Sequence, residues 1–94
     1  MNAEADGWRR FLKLCSKVET LDKADLLFDL FLTLEEKEML GQRCLIVKAL
    51  LEGRMTQREI AEKYKVSISQ ITRGSNALKI VDEEFKKFLQ TNIK

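Results

Sequence analysis

Apolar residues recur along this chain at spacings of three and four, without the alternation that marks a strand. The sequence contains no Pro, so nothing in it breaks a helix from within. The pattern predicts an all-α chain of about six helices. Asp6 is placed to cap a first helix with Trp8, Phe11, Leu12, Cys15 and Val18 on one side. A second, very apolar helix is expected over about residues 24–32. Its Leu26, Leu27, Leu30, Phe31 and Leu32 exceed what one short domain can hide, and the excess suits a dimer interface. Thr33 with Glu36 forms a capping-box pattern that opens a long helix reaching about Leu51. Leu40, Cys44, Val47, Leu50 and Leu51 mark its expected buried side, and Gly53 its C-terminal stop. Asp82 is placed to cap a last helix carrying Phe85, Phe88 and Leu89.

Between these elements lies the most informative stretch, about residues 56–78. Thr56 with Glu59, and Ser67 with Gln70, repeat the capping-box pattern, so two short helices are predicted with a turn at about residues 65–67. Ile60, Tyr64, Val66 and Ile71 supply the apolar positions that lock them together, and Ala61 is small where they cross. This is a helix-turn-helix, whose second helix enters the DNA major groove. Lys65 occupies the turn position that wants a left-handed backbone, at a cost of ~1 kcal/mol. A plain pair of packed helices is the bland alternative. The outward residues favour DNA, since Gln57, Arg58, Ser69, Gln70 and Thr72 all carry groups suited to phosphates or base edges.

The formal net charge of +2 matters less than its distribution. Residues 1–41 carry net −3, residues 42–79 net +5, and residues 80–94 balance. The positive field coincides with the helix-turn-helix. Ninety-four residues make a single small domain over 1–94, often marginal alone, and dimerisation enlarges such a core. Cys15 and Cys44 lack metal-type spacing and are expected to be reduced, packed thiols. The chain contains no His, the commonest general base and metal ligand. There is no nucleophile–base pair and no Gly-rich phosphate loop, so neither an enzyme nor a metal site is expected. No signal peptide or membrane-spanning run is evident, and the expected location is the cytoplasm. Trp8 and the aromatic and leucine stripes read as core.

Several pieces together resemble the tryptophan repressor family: Leu30 to Thr33, Leu40 to Arg43, Gly53 to Glu59 and above all Ile71 to Lys79. Their order and spacing match from about Trp8 to Leu89, and the look is nearest to the short chlamydial-type members. The resemblance implies an intertwined homodimer of six helices per chain, a palindromic double-stranded DNA operator, and L-tryptophan as corepressor. It implies control of genes for tryptophan synthesis or uptake. The family is itself a standard example of helix-turn-helix docking and of water-mediated base contacts, so those features follow from the resemblance alone.

Carried over residue by residue, the resemblance implies a ligand pocket in which Arg43 and Arg73 face the two sides of the indole. Read alone, both would be surface or phosphate-binding arginines. A guanidinium plane stacks well on a flat aromatic, and an Arg also suits the ligand carboxylate. Thr33 and the backbone at Leu30 and Leu32 would hold the ligand's polar end, where a helix C-terminus favours an ammonium. Val47 would line the pocket, and Gly74 would leave room for close approach. On the DNA side, Gln57 and Arg58 are expected to contact phosphate and a base edge. Ile68, Ser69, Gln70 and Thr72 lie near the start of the recognition helix, and Asn76 and Lys79 follow it toward the DNA backbone.

The chain departs from the family pattern in places. Ala77 stands where well-known members have a Ser whose hydroxyl holds the ligand's amino group, and one lost hydrogen bond weakens binding by ~0.5–1.5 kcal/mol. Gln70 replaces a smaller Thr, and Lys65-Val66-Ser67 replaces a Gly-rich turn. The arm before Trp8 is short, which argues against DNA contact by a long N-terminal arm. These departures keep open a regulator that is constitutive or uses another effector. A reading of another class is a protein-interaction module docking through the apolar second helix.

Overall fold

The computed structural model describes residues 2–94, which form six α-helices and, among the described residues, no strand. These are α1 (Ala3–Lys17), α2 (Leu21–Phe31), α3 (Leu34–Glu52), α4 (Gln57–Tyr64), α5 (Ile68–Lys79) and α6 (Glu83–Asn92). The chain divides into two compact units, residues 1–37 and 38–94.

In the first unit, Asn2 rather than Asp6 caps α1, its side chain accepting the Ala5 amide at 2.7 Å. Asp6 lies inside the first turn, where it accepts from Arg10 Nε at 2.8 Å, an i,i+4 pair. The helix starts earlier than expected because an Asn one residue before Ala3 offers the cap first. Likewise α2 begins at Leu21, three residues earlier than predicted, because the Thr20 side chain accepts the Lys23 amide at 3.1 Å. Phe11 joins the two helices: its ring meets Phe28 and Phe31 edge-on, with centroids 6.0 and 5.3 Å away. Trp8 stacks on Phe11 but remains 60% exposed, so it is not the core residue expected. Lys37 forms ion pairs with Asp29 and, at 3.9 Å, with Asp25. No residue of α1 or α2 is buried.

The second unit holds the buried core, made of Ile46, Ala49, Ile60, Val66 and Ile71, with Leu50, Met55, Ala61 and Tyr64 packed against it. The helix α3 has no single apolar side, its apolar and polar residues being spread around it, and this unit covers one side through Ile46 and Ala49. The expected buried side was therefore partly wrong. Leu40 is 46% exposed and Cys44 is exposed, while Val47, Leu50 and Leu51 are half-buried. Cys15 is half-buried and Cys44 is not a packed thiol in this chain. The predicted capping box of α3 forms, with Thr33 and Glu36 each bonding the other's backbone amide at 3.1 and 2.8 Å. Gly53 ends the helix with φ +67°. Asp82 caps α6 by accepting the Phe85 amide at 2.8 Å.

Candidate functional site

The two short helices of the second unit are built as the caps dictate. At α4, the Thr56 hydroxyl accepts the Glu59 amide at 3.1 Å and the Glu59 carboxylate accepts the Thr56 amide at 2.9 Å. The Thr56 amide first, and then the Thr56 side chain, bond the Glu59 carboxyl and hold it below its ordinary value. At α5, Ser67 Oγ accepts the Gln70 amide at 3.2 Å and Gln70 Oε1 accepts the Ser67 amide at 2.8 Å. Between them Lys65 adopts the left-handed conformation, φ 55° and ψ 47°, and the Val66 amide donates to the Ala61 carbonyl at 3.2 Å. Ile60 and Ile71 are fully buried beneath this turn. The result is a helix-turn-helix, as the spacing predicts.

The outward face of this element carries Gln57 and Arg58 at the start of α4, and Ile68, Ser69 and Thr72 in the first turns of α5. All five are exposed, Ile68 by 49%. Asn76 and Lys79 are also exposed, but they lie inside α5, which extends to Lys79, rather than after it. Gln70 differs from these. It is half-buried, its Oε1 is engaged in the cap, and its Nε2 donates to Gln42 Oε1 on α3 at 3.5 Å.

On the other side of α5 a pocket of about 400 Å³ opens against α3. One stripe of α3, Met39, Arg43, Ile46 and Val47, forms one wall, and one stripe of α5, Gln70, Arg73, Gly74 and Ala77, forms the other. Both stripes follow the three- and four-residue spacing of a helix face. The sequence reading named four of these as ligand residues, Arg43, Val47, Arg73 and Gly74, and the structure brings all four to one cavity. It assigned Gln70 only to the DNA face, and it missed Met39 and Ile46, which sit four residues before and three after Arg43. That spacing was the available signal.

The walls are mostly apolar, and their only charges are the two guanidiniums. Neither Arg43 nor Arg73 makes an ion pair among the described residues. A flat apolar molecule with a carboxylate fits such a lining, its ring against the guanidinium planes and its charge in their fork. A larger hollow of about 470 Å³, lined by residues of α3 and the C-terminal end of the chain including Lys48, Glu52 and Lys94, is more open to solvent and offers no comparable apolar enclosure.

Leu30, Leu32 and Thr33 belong to the first unit. Leu32 caps the C-terminus of α2, donating its amide to the Phe28 carbonyl at 2.8 Å, and Leu30 is 77% exposed. The final carbonyls of a helix lack intrahelical donors and carry partial negative charge. Thr33 spends its hydroxyl on the Glu36 amide. Among the described residues there is no group of three or more His, Cys, Asp and Glu that could hold a metal ion, and no helix is long and apolar enough to cross a membrane.

Comparison with known proteins agrees with this architecture. The model of the family described as Trp repressor protein matches residues 6–93. A Trp operon repressor homolog of Chlamydia trachomatis serovar D is 56% identical over 92 residues, covering 98% of each chain. One from Chlamydia caviae is 58% identical over 85 residues, covering 90% of this chain and 84% of that one. A more distant Trp operon repressor homolog, from Haemophilus influenzae, is 34% identical over 88 residues, covering 94% of this chain and 87% of that one. With nearly its whole length matched, this chain belongs to the Trp repressor family, a family of helix-turn-helix transcription regulators.

Proposed function

We propose that the protein is an L-tryptophan-dependent transcriptional repressor that binds a palindromic DNA operator as a homodimer and controls tryptophan synthesis or uptake genes. One observation carries the reading: α5 presents the exposed start of a recognition helix on one side and, on the other, lines an apolar pocket with two arginines that make no ion pair among the described residues. A ligand in that pocket touches the element that reads DNA. Such a ligand acts by binding the DNA-competent arrangement more tightly than the others, which shifts the population toward it. Arg43 and Arg73 are the proposed indole and carboxylate partners, with Val47 and Gly74 lining the site. Leu30, Leu32 and Thr33 remain part of the proposal as the residues for the ligand's polar end. Gln57, Arg58, Ile68, Ser69, Thr72, Asn76 and Lys79 form the proposed DNA face, with Gln70 at its edge.

The homodimer is supported by surface that one chain leaves bare. Leu21, Leu26 and Leu30 of α2 are 87%, 70% and 77% exposed, and Phe85 and Phe88 of α6 stack on each other while half exposed. Apolar area of this kind is normally covered by a partner.

Calorimetric titration with L-tryptophan tests the reading without a guess at the operator. Saturable binding near one ligand per chain is expected, followed by operator binding that tightens with ligand. Equal operator affinity with and without L-tryptophan would sink the switch. Ala77 favours a second reading, since it puts a methyl in the pocket wall, where the family resemblance implies a hydroxyl for the ligand's amino group. In that reading the regulator is constitutive or takes another effector. Arg43→Ala separates the two, because it abolishes a tryptophan response only if the pocket works.

A further inference from the structure

Among the described residues, one side-chain hydrogen bond joins α3 directly to α5: Gln70 Nε2 donates to Gln42 Oε1 at 3.5 Å, in a partly buried setting. Its position sets it apart from an incidental surface contact. Gln70 is the third residue of α5, and its Oε1 is already held by the Ser67 amide at 2.8 Å and the Ser67 hydroxyl at 3.2 Å. The same side chain forms part of the pocket wall with Arg73, Gly74 and Ala77. Gln42 directly precedes Arg43, which lines the opposite wall. The pair therefore ties α3 to the first turn of α5 beside the pocket, at its Gln70 wall. A Gln side chain offers one acceptor oxygen and two donor hydrogens, so Gln70 can serve the cap and the strut at once. A shorter hydroxyl side chain at residue 70 has no second group to reach Gln42.

We propose that Gln70 is a positioning residue that, braced by Gln42, carries pocket occupancy to the DNA-reading end of α5. This rests on the ligand reading above. A molecule entering between the stripes of α3 and α5 changes their separation at the point where the strut spans them. Because Gln70 also caps α5, that change reaches Ser67, Ile68 and Ser69 without passing through the rest of the helix.

The test compares the wild type with Gln42→Ala, Gln70→Ala and the double variant. Gln42→Ala is the informative one, because it removes the strut and leaves the Ser67–Gln70 cap in place. Its helix content and thermal unfolding are expected to match the wild type. The ratio of operator Kd without L-tryptophan to that with it is expected to fall at least ~fivefold, within the usual range of allosteric coupling. In the double variant that ratio falls no further than in Gln70→Ala, the non-additivity expected of two residues acting through one contact. A wild-type ratio in Gln42→Ala, or additive losses, overturns the proposal. A second measurement separates this outcome from failure of the ligand reading. Amide hydrogen exchange at Gln70 and Ile71, without DNA or ligand, is expected to speed up ~tenfold in Gln42→Ala as the start of α5 opens more readily. If the wild type ignores L-tryptophan while exchange responds, the ligand reading fails and the strut stands. Unchanged exchange overturns the strut itself.

Discussion

Gly74 and Ile46 meet where α5 crosses α3: a β-carbon on Gly74 would stand 3.2 Å from Ile46 Cγ2 and 3.6 Å from Leu50 Cδ1. The glycine therefore serves helix packing, in addition to any room it leaves for a ligand. Its backbone is ordinary helix, so the requirement is one of space and not of φ. Gly74→Ala gains ~1 kcal/mol of helix propensity, and a crowded methyl against a fully buried Ile costs a similar ~1–3 kcal/mol. Stability measured by urea unfolding is therefore expected to stay unchanged or fall by up to about 2 kcal/mol. The pocket is expected to suffer more, because α5 must move away from α3 by a few tenths of an ångström. Calorimetry with L-tryptophan is expected to show roughly tenfold weaker binding, or ~1.4 kcal/mol.

Lys65 holds the left-handed turn between α4 and α5 with a side chain that disfavours it. Lys65→Gly relieves that strain, partly offset by the greater freedom of Gly in the unfolded chain. A net gain of ~0.5 kcal/mol is expected in chemical denaturation. A loss of stability would mean that the Lys side chain makes a contact more valuable than the strain it imposes.

Glu59 links the first cap of the helix-turn-helix to pH. Its folded pKa lies below the ordinary 4.5, chiefly because the Thr56 amide donates to the carboxylate. A carboxylate shifted in that direction stabilises the fold above its unfolded pKa, and this contribution disappears as pH falls through the folded value. Glu59→Gln keeps a hydrogen-bonding cap without the titration. Wild type is therefore expected to lose stability relative to Glu59→Gln as pH drops below about 4.5, with the gap constant above pH 6. Parallel unfolding curves from pH 3 to 7 check this. A constant gap throughout would remove Glu59 from the acid response.

Arg58 and Arg43 are expected to separate cleanly. Arg58 is exposed at the start of α4, outside the pocket, and Arg43 lines it. Arg58→Ala should weaken operator binding, lower the salt slope by about one per phosphate contact removed, and leave L-tryptophan binding to the free protein unchanged. Arg43→Ala should do the reverse, abolishing the ligand response while ligand-free DNA binding persists. Filter binding across a salt series, paired with calorimetry, reads both.

Most of the local architecture was legible in the sequence because caps act over three residues. Thr33–Glu36, Thr56–Glu59, Ser67–Gln70 and the Asp82 cap are all readable from neighbours, and each forms. The start of α1 was misread because Asn2 and Asp6 are both competent caps, and only the hydrogen bond actually made chooses between them. The resemblance supplied Arg43, Arg73 and Gly74 as pocket residues, and gave that role to Val47, which periodicity had marked only as buried; Met39 and Ile46 were missed, although helical spacing from Arg43 could have found them.

By itself, then, the sequence determined the six helices, the left-handed turn at Lys65 and the apolar lock of Ile60, Val66 and Ile71, since these depend on short-range hydrogen bonds and on the spacing of side chains along one helix. Only the tertiary structure decided which side of α3 is buried, because apolar and polar residues are spread around that helix and no single apolar side orients it. It alone revealed that Gly74 is read by Ile46 and that Gln70 reaches Gln42, 28 positions away. Such contacts depend on where two helices cross, and the crossing is set by the packing of whole faces, which no local stretch of the chain encodes.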